Sequence, residues 1–383
     1  MKIVIAPDSY KESLTAMEVA TAIESGFQHV LPQAEYIKLP MADGGEGTVQ
    51  SLVDATNGEI IHQSVTGPLG QPVDGFYGLL GDGKTAIIEM AAASGLHLVE
   101  PELRNPLLTT TYGTGELIRA VLDRGVEHII VGIGGSATND GGLGMAQALG
   151  IGMLDAAGNS LANGGGALAD LASIDMSQLD PRLASVRLEV ACDVDNPLCG
   201  AKGASHVFGP QKGATPEMVE QLDSNLNHYA HMMKVLLGKD VTEMSGAGAA
   251  GGLGAALLGL LDAELRPGIE IVMDAVDLSE VLKDADLVIT GEGRIDSQTI
   301  HGKTPIGVAR CAKQYQLPVI GIAGCLSTDC DVVYEHGIDA VFAVVNRSVD
   351  LPTALKEAAE NVEITARNVA AIYCMNKAFS PMS

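Results

Sequence analysis

The sequence predicts an α/β protein built around a doubly wound, largely parallel β-sheet. Short apolar runs alternate with helical patterns through most of the 383 residues, which is the order of strand–helix–strand units. Hydrophobic residues make up 46 % of the chain and aromatic residues only 3 %, so aliphatic side chains must fill the core, as is usual in layered α/β domains. The length is enough for two ordinary domains.

The N-terminal part of the chain predicts the first strand–helix units. Residues 2–6 form an apolar strand, and a helix follows from Thr15 to about residue 30. Glu18 stands three residues after Thr15, which is the spacing of a capping box. Residues 36–39 are the second predicted strand, and we expect another helix from Gly45 onward.

The C-terminal part contains three further strand–helix units in quick succession. The strands are predicted at residues 287–290, 319–323 and 340–345, and the helices begin near Thr304, Asp329 and Leu351. Together with the two N-terminal strands they make a five-stranded parallel sheet of the flavodoxin or Rossmann type. Ligands are expected at the carboxyl ends of such strands.

The middle of the chain has a different pattern. Residues 70–90 contain repeated glycines among short β-prone runs, which favours a hairpin, and residues 150–212 are rich in loops. We therefore predict a discontinuous doubly wound domain, residues 1–68 plus 275–383, with a second α/β domain, residues 69–274, inserted in it.

Charge and cysteine usage limit the partners and the compartment. The formal net charge is −25. Such a charge repels nucleic acid and anionic lipid, so neither is expected as a partner. A phosphate site would need oriented backbone N–H groups, placed cations or Mg²⁺. The 6 cysteines show no metal or redox spacing, and neither a signal peptide nor a membrane span is evident, which predicts a cytoplasmic protein. The oligomeric state is left open.

The most informative feature is a set of loops that combine glycine with acidic, hydroxyl or basic residues, several of them directly after a strand. Glycine lets backbone N–H groups approach a phosphate, carboxylates can hold Mg²⁺, and Lys or Arg can neutralise a transferring phosphoryl group. So many loops of this kind predict an enzyme that handles phosphate. The loops are APDSYKES (6–13), ADGGEGT (42–48), YGTGE (112–116), GIGGSATNDGG (132–142), ACDVDNP (191–197), GPQKG (209–213), GAGAAGGLG (246–254) and TGEGRIDSQT (290–299).

Two segments match nucleotide-binding motifs in sequence but lack the strand or helix that each motif requires. The segment from Gly78 to Thr85 matches the Walker A pattern, but the residues after it form a strand pattern, which favours a hairpin turn. The segment Gly246-Ala-Gly248-Ala-Ala-Gly251 matches a dinucleotide fingerprint with Asp274 at a suitable distance, but the preceding segment is too polar for the required strand.

Each candidate residue also has a plain structural interpretation. Asp43 and Glu46 could simply favour the helix dipole. Asn139 could be the N-cap of a helix through residues 143–149, which would leave Asp140 free. Lys212, between two glycines, could lie in a solvated turn. The positions directly after predicted strands favour function instead, and they are Asp8, Ser9 and Lys11 after the first strand, Asp193 after residues 188–192, and Glu292, Arg294 and Asp296, with Lys303 at the next helix start.

These loops, in this order, resemble the bacterial type I glycerate kinases from Met1 to about residue 370. The resemblance rests on APDSYKESL, LPMADGGEGTV, IEMAAASGL, GTGELI, GIGGSATNDGG, FGPQKGA, GAGAAGGLGAAL and VITGEGRIDSQTIHGKTPIGVA. It implies ATP-dependent phosphorylation of D-glycerate with Mg²⁺, at the 2-hydroxyl, and an active site in the cleft between two α/β domains. The family pattern CDVTNP reads Cys192-Asp-Val-Asp195-Asn-Pro in this chain, and this difference favours Asp193 over Asp195 as a functional group.

The roles that follow are hypotheses about phosphoryl transfer, which needs positioning and charge compensation. Glycine-rich backbone would cradle the nucleotide, a lysine would neutralise phosphate oxygens, and one of several carboxylates would accept the hydroxyl proton. Arg294 would pair with the glycerate carboxylate. The assignments are as follows: catalytic, Asp8, Lys11, Asp193 and Asp296; substrate-binding, Ser9, Arg294, Glu292 and Lys303; nucleotide-binding, Gly134, Gly135, Ser136, Asn139, Lys212, Gly248 and Gly251; metal-binding, Asp43, Glu46 and Asp140.

Two alternatives remain open at this point. The fingerprint at Gly246 and Asp274 would suit a nicotinamide-dependent oxidoreductase acting on a hydroxy acid. The same loops could also serve a non-enzymatic nucleotide sensor that binds ATP without turnover.

Overall fold

The computed structural model describes the backbone of residues 1–378 and the side chains up to residue 375. It is a mixed α/β structure with a five-stranded parallel sheet, a six-stranded mixed sheet and two small two-stranded sheets, which confirms the predicted fold class. The strands are β1 (Lys2–Pro7), β2 (Glu35–Lys38), β3 (Glu59–Thr66), β4 (Pro72–Leu79), β5 (Thr85–Glu89), β6 (His128–Gly132), β7 (Gly152–Leu154), β8 (Ser173–Asp175), β9 (Arg187–Ala191), β10 (Glu264–Arg266), β11 (Leu287–Gly291), β12 (Arg294–Ile295), β13 (Val319–Ala323), β14 (Cys325–Leu326) and β15 (Ala340–Ala343). The helices are α1 (Ala16–Gln28), α2 (Thr48–Thr56), α3 (Ala91–Ser94), α4 (Tyr112–Leu122), α5 (Leu143–Ala148), α6 (Ala204–Phe208), α7 (Pro216–Leu237), α8 (Ala249–Leu261), α9 (Gly268–Ala275), α10 (Leu278–Leu282), α11 (Thr304–Gln314), α12 (Leu351–Lys356) and α13 (Ala358–Ala378).

The chain divides into two compact units. The first unit comprises residues 1–43, 50–57 and 269 onward, and the second unit comprises residues 44–49 and 58–268. The strand β3 belongs to the second unit because it pairs along its whole length with β4. The predicted boundaries at residues 68 and 275 stay a prediction.

The first unit is built on a five-stranded sheet with the order β15-β13-β11-β1-β2, and every pairing in it is parallel. Ile3 and Ile5 of β1 pack in one apolar cluster with side chains of α1 and α13. Val4 lies between them and is also fully buried. Since successive side chains of a strand point to opposite faces, both faces of this sheet are covered, as expected for a parallel sheet.

The second unit contains a six-stranded sheet with the order β10-β9-β6-β5-β4-β3. The pairs β5–β6, β6–β9 and β9–β10 are parallel, whereas β3–β4 and β4–β5 are antiparallel. The predicted hairpin between residues 70 and 90 is therefore confirmed. The apolar core of this unit joins the central strands to α4, α5, α7 and α8.

Local sequence rules explain most element boundaries. The side chain of Thr15 accepts the N–H of Glu18 and the Glu18 carboxylate accepts the N–H of Thr15, so the predicted capping box of α1 is confirmed. The helix predicted from Gly45 begins at Thr48, because Gly44 and Gly47 have φ of +91° and +88°, which a right-handed helix cannot contain. The helix predicted near Asp329 is a 3₁₀ segment, Cys330–His336.

Candidate active site

The carboxyl edge of the parallel sheet in the first unit brings two predicted carboxylates together. Asp8 follows β1 and Glu292 follows β11, and these strands are neighbours in register, with Pro7 opposite Gly291. The backbone N–H of Asp8 continues this pairing by donating to the Gly291 carbonyl at 2.8 Å. The topology therefore places both acids where a doubly wound sheet binds its ligands.

Asp8 is half-buried, and its carboxylate accepts hydrogen bonds from Thr304 and Ser9. Its Oδ2 accepts the hydroxyl of Thr304 at 2.7 Å, and its Oδ1 accepts the backbone N–H of Ser9 at 2.6 Å. Burial, and next the negative charge of Asp43, raise the pKa of Asp8 to about 6 despite these hydrogen bonds. Asp8 and Asp43 are thus close enough to repel each other, an arrangement that a cation would stabilise.

Glu292 is more deeply buried, with 9 % of the residue exposed. Its carboxylate accepts the Thr299 hydroxyl at 2.6 Å and lies 3.5 Å from the Lys303 ammonium. Burial raises the pKa of Glu292 to about 7, the negative charge of Asp8 adds to the increase, and the contacts with Thr299 and Lys303 oppose it. A carboxylate with a pKa near neutrality can accept a proton at physiological pH.

The other candidates of the first unit are more exposed. Arg294 has a 65 % exposed side chain, and its Nε donates to the Ser327 hydroxyl at 2.9 Å and lies 3.4 Å from Asp296. Asp296 accepts the backbone N–H of Gln298 at 2.9 Å, as an acidic side chain does in an Asx turn. Lys11 is exposed in the loop after β1. These three side chains are available to a ligand but are not fixed by burial.

In the second unit, Lys212 is a buried cation beneath the glycine loop, by which we mean residues 134–138. Only 1 % of Lys212 is exposed, so the solvated-turn interpretation is wrong. Its ammonium donates to the Ser136 hydroxyl and to the Thr138 carbonyl, both at 2.7 Å. Burial lowers the pKa of Lys212 to about 7, and the negative charge of Asp140 opposes the decrease.

The side chains of Asn139 and Asp140 are buried and hydrogen-bonded to other groups of the protein. The side-chain N–H of Asn139 donates to the Ser205 hydroxyl at 2.9 Å, and α5 has Gly142 as its N-cap, so the N-cap interpretation of Asn139 is wrong. Asp140 is fully buried and accepts hydrogen bonds from the Thr111 N–H and hydroxyl and from the N–H groups of Gly142 and Gly144. A carboxylate with these four donors argues against the predicted metal role.

The glycine loop also borders a pocket of about 200 Å³ within the second unit. Gly134 and Gly135 line it together with Glu46, and a Cβ built on Gly134 would have only the Cα of Gly45 within 4 Å, at 3.8 Å. The backbone is therefore open to a ligand there. Open backbone of this kind can approach a phosphate, and the nucleotide-binding roles of Gly134 and Gly135 stay predictions.

Glu89 is a pocket residue that the sequence argument missed. It ends β5, is 7 % exposed, and accepts the backbone N–H of Val49 at 2.8 Å and those of Gly47 and Thr48. Burial raises its pKa, and the three donors oppose the increase. A glutamate at the end of an apolar strand was the available signal in the sequence.

The structure does not support the fingerprint glycines as a nucleotide cradle. A Cβ at Gly248 would overlap the Pro197 carbonyl oxygen, and one at Gly251 would overlap the Thr138 carbonyl oxygen. Protein backbone therefore fills the space that a ligand would need. The fingerprint also lacks its strand, because residues 238–248 contain turns and no strand. The Walker A match lies on the β4–β5 hairpin, as predicted.

Asp193 is exposed after β9 and accepts the backbone N–H of Gly268 at 3.0 Å.

Within the described part of the chain, no group of three or more His, Cys, Asp and Glu side chains could hold a metal ion. Mg²⁺ is usually held by one or two carboxylates beside substrate phosphates. No helix among the described residues is long and apolar enough to cross a bilayer.

Comparison with known proteins identifies the family. The model of the "Glycerate kinase family" matches residues 3–374. The chain belongs to the glycerate kinase family. It is 65 % identical over 371 residues to the glycerate kinase of Bacillus subtilis strain 168, covering 97 % of each chain. It is 59 % identical over 371 residues to the glycerate 2-kinase of Escherichia coli K12, again covering 97 % of each chain.

A solved structure supports the assignment. A protein of Salmonella typhimurium LT2 that is proposed to be glycerate kinase 2 shares 62 % sequence identity and a TM-score of 0.92, covering 99 % of this chain and all of its own. This member of the glycerate kinase family is therefore an enzyme, a phosphotransferase with an alcohol group as acceptor. The oxidoreductase and sensor alternatives are wrong.

Proposed function

We propose that this glycerate kinase family member transfers the terminal phosphoryl group of ATP to the 2-hydroxyl of D-glycerate, giving 2-phosphoglycerate and ADP. One observation carries the proposal: Asp8 and Glu292, with pKa values of about 6 and 7, meet at the ligand-binding edge of a parallel sheet in a chain of this family. The relatives named glycerate kinase and glycerate 2-kinase support the substrate and the position.

Glu292 is the proton acceptor in this proposal. Deprotonating a substrate hydroxyl needs a base whose pKa lies near the working pH, and burial gives Glu292 this property. Lys303, 3.5 Å from the carboxylate, stabilises its charged form. Asp296 is the alternative acceptor, and its carboxylate accepts the Gln298 N–H and lies 3.4 Å from Arg294.

Arg294 is the proposed partner of the glycerate carboxylate. Its guanidinium is 65 % exposed, so it can turn toward a ligand without breaking a buried contact. A planar guanidinium also binds a carboxylate through two parallel hydrogen bonds, which a lysine cannot do. Ser9, Lys11 and Asp193 keep their predicted roles as proposals.

The carboxylates of the first unit fit Mg²⁺. The repulsion that raises the pKa of Asp8 shows that Asp43 is nearby, and a pair of carboxylates is a suitable protein contribution to a magnesium site. Asp8 and Asp43 would hold the ion. When bound, Mg²⁺ would neutralise charge on the phosphate oxygens during transfer. Glu46, on the pocket of the second unit, stays a prediction.

The test is a coupled assay for ADP with purified protein, Mg-ATP and D-glycerate, followed by ³¹P NMR of the product. Glycerate-dependent ADP release with a 2-phosphoglycerate signal is the expected result. A 3-phosphoglycerate signal would keep the kinase and overturn the position. Absence of glycerate-dependent ADP, with ATP turned over on another small hydroxy acid, would overturn the substrate.

A further inference from the structure

The contact between Lys212 and Ser136 sets the direction of a hydrogen bond in the glycine loop. An ammonium group has three donors and no acceptor, so the 2.7 Å contact makes the Ser136 oxygen the acceptor. The hydroxyl proton of Ser136 is then free to be donated elsewhere. Lys212 is the hydrogen-bond partner found for this hydroxyl among the described residues.

Ser136 is the next residue in the chain after two glycines that line the pocket. Ser136 follows Gly134 and Gly135, which line the pocket and are exposed, and it is itself 7 % exposed. The backbone on both sides is fixed, because the Gly135 carbonyl accepts the Leu96 N–H at 2.8 Å and the Ala137 N–H donates to the Ser94 carbonyl at 2.9 Å. The hydroxyl is thus a donor on a rigid loop beside an open glycine backbone.

Lys212 itself is too enclosed to reach the same ligand. It is 1 % exposed, and its second hydrogen bond ties it to the Thr138 carbonyl on the inner side of the loop. Its charge can still strengthen the Ser136 donor, because an ammonium that donates to a hydroxyl oxygen polarises the O–H bond.

We propose that Ser136 donates its hydroxyl proton to an oxygen of the bound nucleotide's phosphate chain, and that Lys212 is a positioning residue which fixes this direction through Ser136 without touching the nucleotide. This inference rests on the proposed use of ATP. It separates the two residues, which the sequence placed together as nucleotide-binding groups, into one that contacts the ligand and one that orients it.

The same geometry links the subsite to pH. When Lys212 loses its proton, the neutral amine can accept the Ser136 hydroxyl, and the donor to the phosphate is lost. Burial places this change near pH 7 in the free protein. Asp140 is the acidic group that interacts with Lys212, burial raises the pKa of Asp140, and Tyr229 interacts with Asp140 in turn. A bound phosphate favours the ammonium, so nucleotide affinity should fall as the pH rises above about 7.

The test is a double-mutant cycle with Ser136→Ala, Lys212→Met and the double variant. Binding of the magnesium complex of β,γ-imido-ATP is measured by calorimetry between pH 6 and 9, and the KM for glycerate is measured separately. At pH 6.5 Ser136→Ala should weaken nucleotide binding roughly 10- to 100-fold, the range expected for a hydrogen bond to a charged group. Lys212→Met should weaken it by a similar factor, and the double variant should be no worse than Ser136→Ala.

The pH profile separates this inference from a merely structural role. The ratio of the nucleotide Kd of Ser136→Ala to that of the wild type should decrease as the pH rises from 7 to 9. The KM for glycerate should change little over the same range. Lys202→Met and Ser185→Ala, at exposed positions of the same unit, are the matched controls for stability and binding.

Several outcomes would overturn the inference. Unchanged nucleotide affinity in Ser136→Ala would show that the Ser136 hydroxyl does not donate to the nucleotide. A further loss of nucleotide affinity on adding Lys212→Met to Ser136→Ala would show that Lys212 contacts the phosphate directly. If Lys212→Met fails to fold, the pH profile of Ser136→Ala against the wild type still decides. If the variants change nucleotide affinity as expected but the wild type does not turn over glycerate, only the proposed substrate is overturned. If the wild type binds no nucleotide, both the proposed function and this inference are overturned.

Discussion

Replacing Glu292 by Gln tests the assignment of the proton acceptor through two measurements. The pKa of Glu292 is raised from 4.5 to about 7, mainly by burial. Each pKa unit corresponds to about 1.4 kcal/mol, so the folded state disfavours the charged carboxylate by about 3 kcal/mol. We therefore expect Glu292, the proposed base, to carry a stability cost at neutral and alkaline pH.

Because folding raises the pKa of Glu292, its contribution to the free energy of unfolding decreases as the pH rises. Between pH 4.5 and about 7 the folded protein binds more protons at Glu292 than the unfolded chain, so this group makes stability fall as the pH rises. Glu292→Gln removes this dependence. Without divalent cations, the variant should gain up to about 3 kcal/mol over the wild type at pH 8, less the loss of the charged contact with Lys303, and the gain should vanish below pH 4.5.

The assays are urea unfolding at a series of pH values and steady-state turnover. Glu292→Gln should lose turnover by a factor of about 10² to 10⁴, the usual contribution of a general base. Glu127→Gln, which removes one partner of the exposed ion pair with Lys84, is the matched control and should change neither property much. Near-normal turnover in Glu292→Gln, with Asp296→Asn inactive, would refute the assignment and move the base to Asp296.

Three further predictions concern the metal, the substrate and the fold. Asp8→Asn should raise the Mg²⁺ concentration needed for half-maximal activity, measured by metal titration; an unchanged requirement would remove Asp8 from the metal site. Arg294→Lys should raise the KM for glycerate much more than that for ATP in steady-state kinetics, and an unchanged glycerate KM would contradict its role. Gly251→Ala should destabilise the protein by roughly 3 kcal/mol or more in urea unfolding, because φ is +67° and a Cβ would overlap the Thr138 carbonyl. Gly238→Ala, with φ of +72° and open space around the Cβ, should cost only about 1 kcal/mol, and equal losses would refute the overlap argument.

Much of the first unit could be predicted from local patterns. The capping box at Thr15 and the strands of the five-stranded sheet are confirmed, because they depend on spacing within a few residues and on apolar runs. The placement of Asp8 and Glu292 on one edge also followed, since parallel neighbours end on the same side. The helix predicted from Gly45 began too early because positive φ at Gly44 and Gly47 is not visible in the residue type alone.

The second unit shows where sequence reasoning stops. Gly248 and Gly251 have the spacing of a phosphate loop, but neighbouring backbone occupies the space around them. Asp140 resembles a metal ligand in sequence, and its four donors come from residues up to 29 positions away. Whether a glycine or a carboxylate meets a ligand or the protein itself depends on packing between distant segments.

The sequence by itself determined the fold class, the order of most strands and helices, and the family, because each depends on residue types and spacing along the chain. Only the tertiary structure decided which groups are chemically altered. Lys212 and Ser136 lie 76 residues apart in sequence, and their contact exists because folding buries one beneath the loop that carries the other. Burial and the charge of Asp8 likewise raise the pKa of Glu292, since desolvation is a property of the packed structure and not of the residue.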